Sequence, residues 1–144
     1  MTVKTIIEVV NEFGKEYDIF LSKVKRKKII YEGVTKNNDS IVVVTRESKI
    51  YPRGNGWVDF TKIQIEIFKQ SLIAVCAFRM SDGTTYYINM ANLFPLLTLD
   101  NLMENKREGE HWKIDIWPNK LVIRNGGQLL SIRANDISDM SDLF

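Results

Sequence analysis

Seven consecutive apolar residues at 72–78, Leu-Ile-Ala-Val-Cys-Ala-Phe, carry no charge, and no other feature narrows the fold as much. A continuous apolar run of this length suits a central strand buried on both faces, whereas a strand with one wet face alternates. Ser81-Asp82-Gly83 follows, a hairpin signal because Gly83 takes a positive φ at no steric cost. Tyr86 to Ile88 then returns. Upstream, Ile63, Ile65 and Ile67 alternate with Lys62, Gln64 and Glu66, the period of a half-buried strand. The expectation is a three-stranded antiparallel core over 63–90. Thr61-Lys-Ile-Gln64 is also a capping-box pattern. A helical projection leaves Ile65 on the wrong face, so strand is the preferred reading.

Thr5-Ile-Ile-Glu8 fits a capping box, and Ile6, Val9, Val10, Phe13, Tyr17, Phe20, Leu21 and Val24 repeat at three and four residues. That stripe predicts an amphipathic helix from about residue 3 to at least 13, continuing toward 24 if Gly14 is tolerated at about 1 kcal/mol. Strands are expected over 28–34 and 40–46 around a polar loop; the turn-rich segment 51–56 follows, and 57–60 leads into the Ile63 strand. A short helical turn limited by Pro95 and a second short helix over 98–105 follow. From 111 to 132, Trp112, Ile114 and Ile116 alternate with Lys113, Asp115 and Trp117, which reads as an antiparallel meander with one buried face. The whole predicts an α+β fold, an N-terminal helix packed on an antiparallel sheet of about seven strands. Residues 1–133 form a single domain, and 134–144 form an acidic C-terminal tail.

Composition limits what such a domain can do. The chain has 144 residues, 44% hydrophobic and 26% charged, with a formal charge of +2. That charge is too small to make the whole surface basic, so a nucleic-acid partner has to be argued from local clustering. No apolar stretch approaches the roughly 18 residues of a membrane span, and the charged N-terminus lacks the apolar region of a signal peptide. The lone cysteine, Cys76, sits in the apolar run and suits a reducing compartment. A cytoplasmic protein without membrane contact is the expectation.

Catalytic signatures are sparse. One histidine, His111, and one cysteine lie on different elements, and no metal-ligand, nucleophile-elbow or phosphate-loop spacing occurs. No cofactor and no bound metal are expected. Asp59, Glu66 and Lys69 lie within eleven residues, and an acid pair beside a lysine can hold Mg²⁺ and an activated water. This set resembles the restriction-endonuclease-like pattern of Asp followed by acid-x-Lys. It departs by having two residues between Glu66 and Lys69, which on a strand would point to opposite faces. A Mg²⁺-dependent nuclease is the alternative reading. A small-ligand pocket near the loop from Tyr51 to Trp57 is another.

The leading reading is a small non-enzymatic binding protein of the inhibitor, immunity or accessory type. Its partner would be nucleic acid or a protein that works on nucleic acid. Lys23, Lys25, Arg26, Lys27 and Lys28 supply five cations in six residues, and Arg53 stands on a glycine-rich loop. These residues would contact phosphates. A helix reaching this far would instead use the cations to complement its dipole. Tyr31, Tyr51, Trp57, Tyr86, Tyr87 and Trp117 would stack bases if they stand on the wet face of the sheet. In the tail, Ile137, Met140, Leu143 and Phe144 are spaced among Asp136, Asp139 and Asp142. Asp142, Leu143 and Phe144 would anchor in a partner's pocket. Docking on the domain's own sheet is the competing role. Ser141-Asp-Leu-Phe144 resembles the end of the bacterial sliding-clamp-binding pentapeptide, with Met140 where that motif usually has Gln.

Overall fold

The apolar run is the heart of a strand that is buried along its whole length. In the computed structural model, which describes residues 2–134 and 137–144 and of Asp139 only the backbone, the chain opens with helix α1 (Ile6–Tyr17). Strands β1 (Ser22–Lys23), β2 (Ile30–Val34), β3 (Ser40–Ser48) and β4 (Gly56–Thr61) follow. Helix α2 (Lys62–Phe68) leads to β5 (Ile73–Met80), β6 (Thr85–Asn89) and α3 (Met90–Leu93). A 3₁₀ turn at Phe94–Leu96 precedes β7 (Met103–Asn105), β8 (Gly109–Trp117), β9 (Lys120–Ile123) and β10 (Leu129–Ser131). A C-terminal 3₁₀ helix spans Ile137–Leu143.

The fold is α+β, with the N-terminal helix packed on a sheet, but the strands form two sheets instead of one. The first has the order β1-β2-β3-β5-β6, and the second β10-β9-β8-β4 with β7 also on β8. All pairings are antiparallel except β3 with β5, which run parallel from Ile41↔Ile73 to Ser48↔Met80. A parallel pair needs a crossover, and β4 with α2 supplies it. The β5–β6 hairpin is as expected, with Gly83 at φ 92.

Every residue of β5 is buried because each face has a different cover. Ala74, Cys76 and Phe78 point at the second sheet, against Phe60, Ile114 and Ile116, with Ile65 and Phe68 of α2 completing that layer. Val75 and Ala77 point the other way, with Ile41 and Val43 against Val9 and Phe13 of α1. The layers are therefore α1, first sheet, second sheet. On the far face of the second sheet no helix is packed among the described residues, and side chains are half-buried at alternate positions of β4 and of β8 from Trp112 on.

Residues 63–67 are helical, which corrects the strand expected there. Thr61 and Gln64 exchange both capping-box hydrogen bonds at 3.1 and 2.9 Å. Ile65 and Phe68, three residues apart, turn inward, while Ile63 is 69% exposed. The helix expected over 98–105 is also absent. Asn101 is buried, and its carboxamide accepts from the Thr98 N–H at 2.9 Å and donates to the Leu96 carbonyl at 2.8 Å. Such side-chain bonds hold the backbone in a non-helical course.

Helix α1 stops at Tyr17 instead of continuing toward 24. Asp18 takes a left-handed conformation at φ 53, and the Ile19 N–H donates to the Gly14 carbonyl at 2.8 Å. A Cβ on Gly14 would lie 2.7 Å from the Ile19 carbonyl oxygen, so glycine allows the chain to fold back there. The cations at 23–28 consequently lie beyond the helix and do not complement its dipole.

The tail folds back onto α1. Met140 is buried, Phe144 stacks on Tyr17 with ring centroids 4.4 Å apart, and the Tyr17 hydroxyl donates to the Ile137 carbonyl. Asp136 and the side chain of Asp139 lie outside the described residues. Among the described residues, no helix is long and apolar enough to cross a membrane.

Candidate nucleic-acid interface

Alternation along β4 decides which side chains reach the open face. Val58 and Phe60 enter the core, so Trp57 and Asp59 turn outward. On β8, Ile114 and Ile116 are inward and Lys113, Asp115 and Trp117 outward. The register sets Trp57 opposite Asp115 and Asp59 opposite Lys113. On the other flank, Val122 faces Asp115, Lys120 faces Trp117, and the Arg124 N–H donates to the Lys113 carbonyl at 2.9 Å. Side chains directly opposite one another in an antiparallel pair share a face.

Trp57 is the centre of this face. The Lys113 ammonium lies 4.7 Å from its ring centroid and the Arg124 guanidinium carbon 5.6 Å. Cations over an indole are held by the ring's quadrupole. Arg124 also grips Asp115, with contacts of 2.6 and 3.4 Å to its two oxygens, and the hydrogen bond to Asp115 raises the guanidinium's pKa. Asn55 donates to the same carboxylate at 3.3 Å. Arg46, reaching over from β3, donates to the Asp59 carbonyl at 2.8 Å and to its carboxylate at 3.3 Å. Both carboxylates are thus engaged by arginines. Lys113 and Lys120 form no ion pair among the described residues.

The basic cluster lies at one end of β4. Val24 and Ile29 pack against the core, and the Val24 N–H donates to the Ile30 carbonyl at 2.9 Å. This tight turn leaves Lys23, Lys25, Arg26, Lys27 and Lys28 exposed, with none ion-paired among the described residues. Lys27 lines a groove of about 520 Å³ with Lys62, Glu66, Glu108 and Glu110, near the last residue of β4. Arg53 sits on the exposed turn before the first residue of β4, closed by the Gly54 N–H donating to the Tyr51 carbonyl. The strand between them spans about 17 Å. Arg53 and the cluster are therefore not adjacent, and Trp57 with its two cations lies between their ends of the strand.

The other candidates are dispersed. Asp59 is held by Arg46, Glu66 is exposed on α2, and the Lys69 ammonium lies 5.3 Å from the Phe94 ring centroid. Because α2 is a helix, Glu66 and Lys69 are one turn apart and not on opposite strand faces. Among the described residues, no group of three or more His, Cys, Asp or Glu is arranged to hold a metal. Near the Tyr51 loop, Ile50, Gly54, Tyr86 and Trp117 line a cavity of about 260 Å³, below the roughly 300–1,000 Å³ usual for ligand sites. Tyr31, Tyr86 and Tyr87 are buried, Tyr51 is exposed, and Trp57 and Trp117 are half-buried. Arg79 is buried, bonded to Thr45 Oγ1 at 2.6 Å and to the Lys4 carbonyl at 3.0 Å. Leu143 and Phe144 are half-buried against α1, while Asp142 is exposed.

Sequence reasoning did not single out Lys113, Lys120 and Arg124. Alternation over 111–117 already put Lys113 and Trp117 on one side. The pairing of β4 with β8, which brings Trp57 to Lys113, has no local signal. Compared with known proteins, the chain matches no family model, no curated protein and no solved structure.

Proposed function

We propose that the chain is a non-enzymatic binding protein whose partner is nucleic acid, held along β4 and the open face of its sheet. The observation that carries this reading is Trp57 flanked by Lys113 and Arg124 on a sheet face where, among the described residues, every second side chain of β4 and of β8 from Trp112 on is half-buried. Cations neutralise phosphates and release condensed counterions, and the Trp57 ring holds two such cations on this face. The exposed cations at 23–28 extend the positive potential at one end of the strand, and Arg53 does so at the other. The single buried cysteine is compatible with a cytoplasmic setting.

A titration of labelled oligonucleotides at about 50 and about 200 mM salt tests the reading. Affinity should fall at least tenfold over that range. Joint charge reversal at Lys25, Arg26 and Lys27 should remove most of it. No binding at the lower salt would refute the proposal.

A second reading has its own observation. Phe20 is 86% exposed, Val34 53% and Leu72 72%, and the first two border a cavity of about 540 Å³ at the edge of the first sheet. Large exposed apolar side chains grouped in this way mark protein contacts. A partner protein that works on nucleic acid would then dock on Phe20. A contact through Leu143 and Phe144 would first have to lift Phe144 off Tyr17. Partner capture lost on Phe20→Ser and kept on truncation after Asp139 would favour this surface.

A further inference from the structure

The Trp57 ring is occupied by the protein's own cations. The Lys113 ammonium lies 4.7 Å from the ring centroid and the Arg124 guanidinium carbon 5.6 Å, so the indole is engaged in holding them in place. The carboxylates and the hydroxyl of this face are engaged as well. Asp59 accepts from Arg46, Asp115 from Arg124 and Asn55, and the Thr61 hydroxyl from the Gln64 N–H. His111, opposite Thr61, is buried. Lys113 and Lys120 differ, with no carboxylate paired to either among the described residues. From this arrangement we infer that the face recognises the phosphodiester backbone alone, with no base read or stacked, and that Trp57 is a positioning residue for Lys113 and Arg124. The inference rests on the nucleic-acid reading above and adds which part of the ligand is recognised.

Reading a base takes hydrogen-bonding groups that are held in place and left unpaired. Carboxamides, carboxylates and hydroxyls serve for this, because each matches a particular pattern on a base edge. On this face those groups make their bonds within the protein. What remains is ammonium groups, which are point charges on flexible stems. They neutralise a phosphate whatever base it carries, and phosphate contacts hold no sequence information. Stacking on Trp57 fails for a related reason, since a base and a cation would compete for one ring. Trp57 therefore acts through its cations. The ring's quadrupole fixes where Lys113 and Arg124 stand, and a phosphate meets them on the side away from the indole.

The test uses the full chain with a labelled oligo(dT) of about 12 nucleotides and an abasic strand of the same length and backbone, reading anisotropy at about 50 mM salt. The abasic strand should bind within about fivefold of oligo(dT), because it offers the same phosphates. Trp57→Leu should weaken binding of both strands by the same factor, about fivefold, as the two cations lose their seat. Trp57→Phe, which keeps a ring, should restore most of that loss for both. A preference for oligo(dT) above about fivefold would overturn the inference and leave the nucleic-acid reading standing. So would a Trp57→Leu variant that loses affinity for oligo(dT) alone, or for neither strand. The comparison of the two strands on the parent chain decides the matter even if the leucine variant does not fold. Absence of binding to both strands would overturn the inference and the nucleic-acid reading together.

Discussion

Sheet one and sheet two meet across a shared core, yet their outer faces differ. The first sheet carries α1 and the C-terminal 3₁₀ helix on its far side, so β5 is buried at all eight positions. The second has no such helix among the described residues, and β8 alternates between buried and half-buried residues from Trp112 to Trp117. A strand covered twice spends its side chains on packing. A strand covered once keeps every second side chain for solvent or a partner. The candidate interface is on the second sheet for that reason.

The largest test of this contrast is a pair of aromatic truncations. Phe78→Ala, on the doubly covered strand, should cost about 3–5 kcal/mol, whereas Trp57→Leu on the open face should cost under about 1 kcal/mol. Urea unfolding midpoints measure both, and similar losses would erase the distinction between the faces. Next comes the cover itself. Deleting residues 141–144 removes Phe144 from its stack on Tyr17 and should cost about 1–2 kcal/mol, with nucleic-acid affinity unchanged. A deletion without effect on stability would mean that the tail contributes nothing as a lid on α1.

Alkaline pH probes the doubly covered core in a different way. Burial pushes the Cys76 thiol up from its ordinary 9.0, and burial together with Glu12 pushes the Tyr87 hydroxyl up from 10.0. The folded chain keeps protons that the unfolded chain releases, so stability is full below about pH 9 and falls above it. The slope from Cys76 is about 1.4 kcal/mol per pH unit, and it steepens above about pH 10 as Tyr87 joins. Unfolding free energies between pH 8 and pH 11 should show this. Cys76→Ala should abolish the first part of the decline, and a flat profile would contradict the burial of both groups. The smallest effect belongs to the open face. Arg124→Gln breaks the contact with Asp115, whose partner is 39% exposed, and should lower stability by less than about 1 kcal/mol. The same change should weaken oligonucleotide binding and reduce its salt dependence by about one phosphate contact.

Legibility followed the range of the interaction. The Thr5 capping box forms as written, with Thr5 and Glu8 exchanging both bonds at 3.1 and 3.2 Å. The β5–β6 turn and the alternation of β8 are equally local, and both appear where the pattern puts them. The α2 segment was ambiguous because seven residues hold barely two turns, and three isoleucines at spacing two satisfy a strand template as well. Capping geometry and the inward course of Phe68 decided for helix. In the candidate site, the cation run and the two outward tryptophans could be picked out by residue type. Their neighbours could not, since Lys113 and Arg124 reach Trp57 only through pairings of β8 with strands on either side.

By itself, then, the sequence determined the local elements: the capped first helix, the hairpins, the apolar central strand and the run of cations. It did so because caps, turns and side-chain periodicity act over a few residues. Tertiary structure decided that the strands divide into two sheets, that β3 and β5 run parallel, and that Trp57 lies between cations from two other segments. Those outcomes depend on which apolar faces can be buried together, and that is a property of the assembled layers, with no trace in any single stretch of chain.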